Sequence, residues 1–175
     1  MSTTSSMQPT NINVGCRRAC QKPTRRWKIN ASACVRPQRG STSVACMGAV
    51  IRDANGNWLK GIEGLLAHGD SDLLCAELLA IERVLEYGWE LQKPSVVLET
   101  DCLLAIKAID EADEDHVYHR IIQNIRFFIH NLPWNVQIKY IKNETNQVAS
   151  FLAHKGKFKF DRYTVHDKPP QVILR

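Results

Sequence analysis

Two carboxylates stand out along the 175 residues because of what surrounds them. Glu77 falls inside the otherwise apolar stretch Leu73 to Ile81, and Asp101 closes a short apolar run that begins at Ser95. An unpaired carboxylate in such surroundings is costly, so each needs a partner or a task. Carboxylate oxygen is the ligand on which Mg²⁺ sites are built, which makes a bound divalent cation the first chemistry to consider. Asp101 has a second reading, as the cap of a helix starting at residue 102. His116 and His119 follow the acid-rich stretch Asp110 to Asp115 and could chelate a metal beside it. Acids ahead of a helix start are explained more simply by the helix dipole. His154 reads as a surface residue near the end of the domain. The sequence holds no G-x-x-x-x-G-K, G-x-G-x-x-G, G-x-S-x-G or H-E-x-x-H motif, so the corresponding nucleotide-binding, hydrolase and metalloprotease chemistries lack support.

The elements that must position these side chains follow from periodicity. Residues 1 to 26 show none, and the first strand begins with Trp27-Lys28-Ile29-Asn30-Ala31-Ser32. Val44 to Ile51 forms a second strand, turned at Asp53-Ala54-Asn55-Gly56-Asn57 into a third that starts Trp58-Leu59-Lys60-Gly61-Ile62. Leu74, Leu78, Ile81, Leu85 and Trp89 mark a long helix, with Ser71 as the expected N-cap. Ser95 to Glu99 is a buried strand, Leu103 to Ile109 a second helix, and Val117 to Ile129 carries a third helical pattern. Val136, Ile138 and Tyr140 alternate as a strand, and Val148 to Ala153 is a short closing helix. From Gly156 onward the chain reads as an extension, residues 156 to 175. The order implies one α/β domain over residues 27 to 155, with a mixed five-stranded sheet, a three-stranded antiparallel meander and helices on both faces.

Four stretches in this order resemble a known family. They are Gly48-Ala49-Val50-Ile51-Arg52-Asp53-Ala54-Asn55-Gly56-Asn57-Trp58, then Ala76-Glu77-Leu78-Leu79-Ala80-Ile81, Leu98-Glu99-Thr100-Asp101, and Asn143-Glu144-Thr145-Asn146-Gln147-Val148-Ala149-Ser150-Phe151-Leu152-Ala153. Together they are similar to the plant ribonuclease H-like family, of the type 1 ribonuclease H fold and related to the ribonuclease H domains of non-LTR retroelements. The resemblance implies four carboxylates: on the first strand, in the first helix, at the end of the fourth strand and in the last helix. Clustered in this way they would hold two Mg²⁺ ions that activate the attacking water and stabilise the leaving oxygen of an RNA–DNA hybrid. Glu77 and Asp101 match the second and third positions. At the first position, where the family reads Asn-Val-Asp-Gly, this chain has Asn30-Ala31-Ser32-Ala33. In the last helix Ser150 follows Val148-Ala149 where the family has Asp. No acid precedes Asp53, and Glu144 lies six residues upstream of Ser150, so a shift of register rescues neither position. The site charge falls from −4 to −2. Mg²⁺ or Mn²⁺, if held at all, would be held weakly by Glu77 and Asp101. Hydrolysis is expected to be lost or severely reduced.

Charge adds a partner. Residues 1 to 52 carry nine basic residues and no acid, so this segment is +9 and the remainder −4 within a total of +5. Arg25, Arg26, Lys28, Arg36 and Arg39 are the candidate contacts to nucleic acid, because neutralised phosphates release counterions. The first 26 residues read first as a disordered basic leader; being rich in Ser and Thr and free of acids, they also resemble an organelle transit peptide. Cys16, Cys20, Cys34, Cys46, Cys75 and Cys102 form no C-x-x-C pair and read as reduced thiols of an intracellular protein, nuclear or cytoplasmic unless the leader directs it to an organelle. Trp27, Trp58, Trp89 and Trp134 read as packing residues, not base-stacking platforms. The first reading is a non-cleaving reader of RNA–DNA hybrid or duplex; the alternatives are an active hybrid ribonuclease and a protein-interaction scaffold. No membrane partner is expected.

Overall fold

The computed structural model describes residues 26–37, 43–68, 72–156 and 163–171. In chain order its elements are β1 (Trp27–Pro37), β2 (Ser43–Arg52), β3 (Trp58–His68), α1 (Leu73–Glu90), β4 (Ser95–Thr100), α2 (Leu103–Glu111), α3 (His119–His130), β5 (Asn135–Tyr140), α4 (Gln147–Gly156) and β6 (Tyr163–His166). The strands make one mixed sheet in the order β5-β4-β1-β2-β3-β6. β1, β2, β3 and β6 are antiparallel in succession, while β4 runs parallel to β1 and β5 parallel to β4. Among the described residues no helix is long and apolar enough to cross a membrane.

Strand alternation distributes side chains between two covering layers. On β1 and β2 the odd positions Ile29, Ala31, Ala33, Ala45, Met47, Ala49 and Ile51 join the main core with α1 and α3. The even positions face the other way, where Cys34, Val44 and Cys46 pack with Ala153 of α4. Helix α4 lies unusually close to that face. A Cβ built on Gly48 would stand 2.0 Å from the Ala149 carbonyl oxygen and 2.2 Å from the Ala153 nitrogen, and one on Gly156 would meet Gly64 backbone at 2.7 Å. The helix therefore rests backbone against backbone, and glycine is required by space at Gly48.

Two expectations are corrected. The sheet has six strands, not five: Tyr163–His166, within the stretch read as an extension, pairs with β3 from Gly61 to Gly64. Its attachment is partly ionic, since Glu63 is fully buried with Lys155 Nζ at 3.7 Å and His166 Nε2 at 3.2 Å, and Lys60 pairs with Asp167. The N-cap of α1 is Asp72, whose carboxylate accepts from the Cys75 amide at 2.7 Å and from the Tyr118 hydroxyl at 2.6 Å. Ser71, expected in that role, lies outside the described residues. The tryptophans are packing residues: Trp134 is buried with Trp89 edge-on to it at 5.5 Å, and Trp58 donates to the His166 carbonyl.

The contact of α4 with Gly48 gives a direct test. Gly48→Ala should destabilise the fold by at least about 3 kcal/mol, because neither clashing atom is a movable side chain. That corresponds to a fall of roughly 6–12 °C in the thermal midpoint, read by circular dichroism; an unchanged midpoint would contradict the packing described.

Candidate active site

Strand β4 ends at Thr100, the partner of Ala31, but β1 continues for six residues to Pro37. Past that point the β4-facing edge of β1 has no strand beside it among the described residues, and its backbone groups must be satisfied by side chains. The Ala33 amide donates to Glu77 Oε1 at 3.1 Å, across a buried contact. The Ala31 carbonyl accepts from Asn146 Nδ2 at 2.8 Å. Asp101 is the first residue beyond β4, and so it stands in this notch.

Each side chain is placed by a different element. Glu77 lies in the second turn of α1, whose Asp72 cap fixes where the helix begins. Burial pushes its carboxyl up to about 8, the Ala33 amide acting in the opposite direction and the charges of Asp101 and Cys34 raising it further. Asp101 is held from the α4 side: Oδ1 accepts from Asn146 Nδ2 at 2.7 Å and Oδ2 from Asn143 Nδ2 at 3.0 Å. Its recorded bonds thus go to side-chain amides, and the Cys102 amide is taken by Thr100 Oγ1 instead, which sets aside the helix-cap reading. Ser32, 4% exposed, is the register partner of Gly48, so its side chain shares the α4 face. Ser150, half-buried, follows Ala149, the residue seated on Gly48, and its amide donates to Asn146 O.

The structure therefore brings Ser32, Glu77, Asp101 and Ser150 to one end of the sheet, around the notch. Two of the basic candidates lie away from it. Arg26 is exposed ahead of β1, bonded to Gln137 of β5, and Lys28 is exposed at the start of β1, roughly 13 Å of strand from Ser32. Arg36 lies half-buried beyond the notch, and Arg25 and Arg39 lie outside the described residues. His154 is exposed, with Nδ1 2.8 Å from Ser150 O. His116 Nδ1 accepts from the Tyr118 amide and His119 Nδ1 contacts Asp113 O.

Asn146 and Asn143 were not singled out in the sequence, although both stand in the closing motif. An Asn before a helix looks like an ordinary cap or turn residue. Its task here depends on an edge that exists only once β4 has stopped short.

The donor set does not fit a pair of divalent ions. Both Asp101 oxygens face N–H donors, Glu77 keeps one oxygen on Ala33, and Ser32 and Ser150 supply only neutral hydroxyls. Among the described residues no group of three His, Cys, Asp or Glu could hold a metal ion. Glu77 Oε2 is buried without a partner among them, which suits a protonated carboxyl as well as an ion.

With this geometry in view, comparison with known proteins places the fold. LC11-RNase H1, solved in complex with RNA/DNA hybrid, superposes with a TM-score of 0.63 at 20% identity, covering 75% of this chain and 96% of that one. RNase H1 of the archaeon Halobacterium salinarum gives 0.64 at 18% identity over 76% and 98%. The foamy viral protease-reverse transcriptase in complex with RNA/DNA hybrid gives 0.65 at 15% identity, over 83% of this chain and 22% of that one. An Arabidopsis thaliana protein whose name assigns it, provisionally, to ribonuclease H is 29% identical over 117 residues. That match takes in 66% of this chain but only 18% of the relative's length. The reverse transcriptase-like family matches residues 31–156, from the strand carrying Ser32 to the last residue of α4, and the chain belongs to that family.

Proposed function

We propose that this chain is a nucleic-acid-binding ribonuclease H-like domain, directed at RNA–DNA hybrid or duplex, in which cleavage is lost or severely reduced. The observation that carries the reading is the Asp101 carboxylate held by two side-chain amides in a notch where Ser32 and Ser150 stand in place of acids. Two-metal hydrolysis needs carboxylates to hold both ions. A lone Mg²⁺ or Mn²⁺ would find only Glu77 and Asp101 and bind weakly. Binding is supported separately, by the +9 charge of residues 1 to 52 and by similarity to proteins solved with RNA/DNA hybrid and with dsDNA. Fewer negative charges in the notch also lessen repulsion of a phosphate backbone.

The test uses the full chain, a labelled RNA–DNA hybrid and either Mg²⁺ or Mn²⁺. The parent should bind the hybrid without cutting it, and affinity should fall by roughly two orders of magnitude between about 50 and 200 mM salt. The double variant Ser32→Asp, Ser150→Asp, shown to be folded by circular dichroism, should gain cleavage at least about a thousandfold above the parent. Turnover by the parent would make it an active hybrid ribonuclease. Salt-insensitive binding to protein, with none to hybrid, would make it a scaffold.

Glu77 adds a pH-dependent prediction. Its folded-state pKa, about 8, lies above the unfolded value of 4.5, so the folded form retains a proton that the unfolded form loses. Stability due to this group is therefore complete below about pH 4.5 and declines as pH rises to 8. Glu77→Gln keeps the acceptor for the Ala33 amide and should abolish that decline, gaining on the order of a few kcal/mol at pH 8 in urea titrations. Millimolar Mg²⁺ should leave the wild-type profile unmoved. A metal-dependent flattening would show that the notch holds a cation after all.

A further inference from the structure

Cys34 and Cys46 are direct partners across the antiparallel β1–β2 pair. Both are even positions, so both thiols point to the α4 face, where they pack with Val44 and Ala153 in a small cluster of their own. Directly opposed residues have Cα atoms about 4.5–5.5 Å apart. A disulfide spans Cα separations of about 4.4–6.8 Å, so these backbones already stand where a link would need them. Neither cysteine is disulfide-bonded.

We propose that Cys34 and Cys46 are a thiol–disulfide site, closed by a peroxide or an oxidised dithiol and reopened by a reduced dithiol. The register carries the proposal. The reactive partner is Cys34: it retains 7% exposure while Cys46 has none. The hydrogen bond from Cys46 lowers the Cys34 thiol to about 6 against the opposing effect of burial, with His154 and Arg36 contributing positive charge. With hydrogen peroxide, the Cys34 thiolate attacks one oxygen and the O–O bond breaks, giving a sulfenic acid and hydroxide, which takes up a proton to leave as water. The Cys46 sulfur then attacks the Cys34 sulfur. The S–O bond breaks, the Cys46 proton passes to the departing oxygen, and a second water leaves. Two thiols are oxidised by two electrons, and one peroxide is reduced to two waters.

Closure has a structural consequence. Cys34 Sγ lies 3.3 Å from the Ala153 carbonyl oxygen of α4, so joining that sulfur to Cys46 changes the contact between β1 and α4. Residue 34 also adjoins Ala33, whose amide holds Glu77. Oxidation thus acts on both supports of the notch, α4 and β1, and this holds whether or not the domain binds nucleic acid.

The experiment needs no variant that might misfold. The reduced full chain is treated with equimolar hydrogen peroxide, the remaining thiols are alkylated, and peptides are mapped by mass spectrometry without reduction. The expected result is one peptide pair joining Cys34 to Cys46, two hydrogens lighter than the reduced peptides, lost on adding dithiothreitol. Cys75→Ala and Cys102→Ala should leave that pair in place. Cys34 and Cys46 both recovered alkylated, linked to other cysteines, or carried on to sulfinic acid without a link would overturn the proposal.

Discussion

The early end of β4 is the constraint on which the site depends. A strand that stops six residues before its neighbour leaves backbone donors and acceptors that cannot stay unpaired in a buried setting. Glu77 and Asn146 satisfy two of them, and in doing so tie α1 and the approach to α4 onto β1. Asp101 then has no freedom of position: it follows the last residue of β4, and Asn146 grips the β1 edge and its carboxylate at once. The geometry of the notch is a consequence of how the sheet closes its polar groups.

The same principle explains why α4 approaches so closely. Gly48 opposite Ser32, and Gly156 against Gly64, let the helix backbone sit on the sheet. This contact puts residue 150 beside the row that contains Ser32. Small residues on the central strands, Ala31, Ser32, Ala33, Gly48 and Ala49, hold the layers close, and serine meets that demand for size as aspartate would. The close packing of α4 on the sheet thus accommodates a small residue at position 32.

Most of this framework was legible because it rests on short-range pattern. The alternation of β1 and β2, the Asn-Gly turn with Gly56 at φ 89°, and the periodicity of α1 and α3 each follow from spacing alone. What escaped depends on distant partners. Ser71 and Asp72 are neighbouring residues with equal capping ability, and a hydroxyl 46 positions away, on Tyr118, favours Asp72. β6 is only four residues long, and its place on β3 depends on His166 meeting a buried Glu63 beside Lys155 from α4. Asn146 was not singled out because the edge it serves is not visible in one dimension.

Four carboxylates converging on one notch repel one another strongly unless cations lie between them. Here the two acids present, Glu77 and Asp101, are each stabilised from within the chain. Burial keeps Glu77 largely protonated at neutral pH, and side-chain amides from Asn143 and Asn146 take the charge of Asp101. Serines at 32 and 150 add no charge to be balanced. The two asparagines aim their donors at both oxygens of Asp101. Asp101 therefore serves as a structural acceptor, and the amide clamp joins β4 to the start of α4.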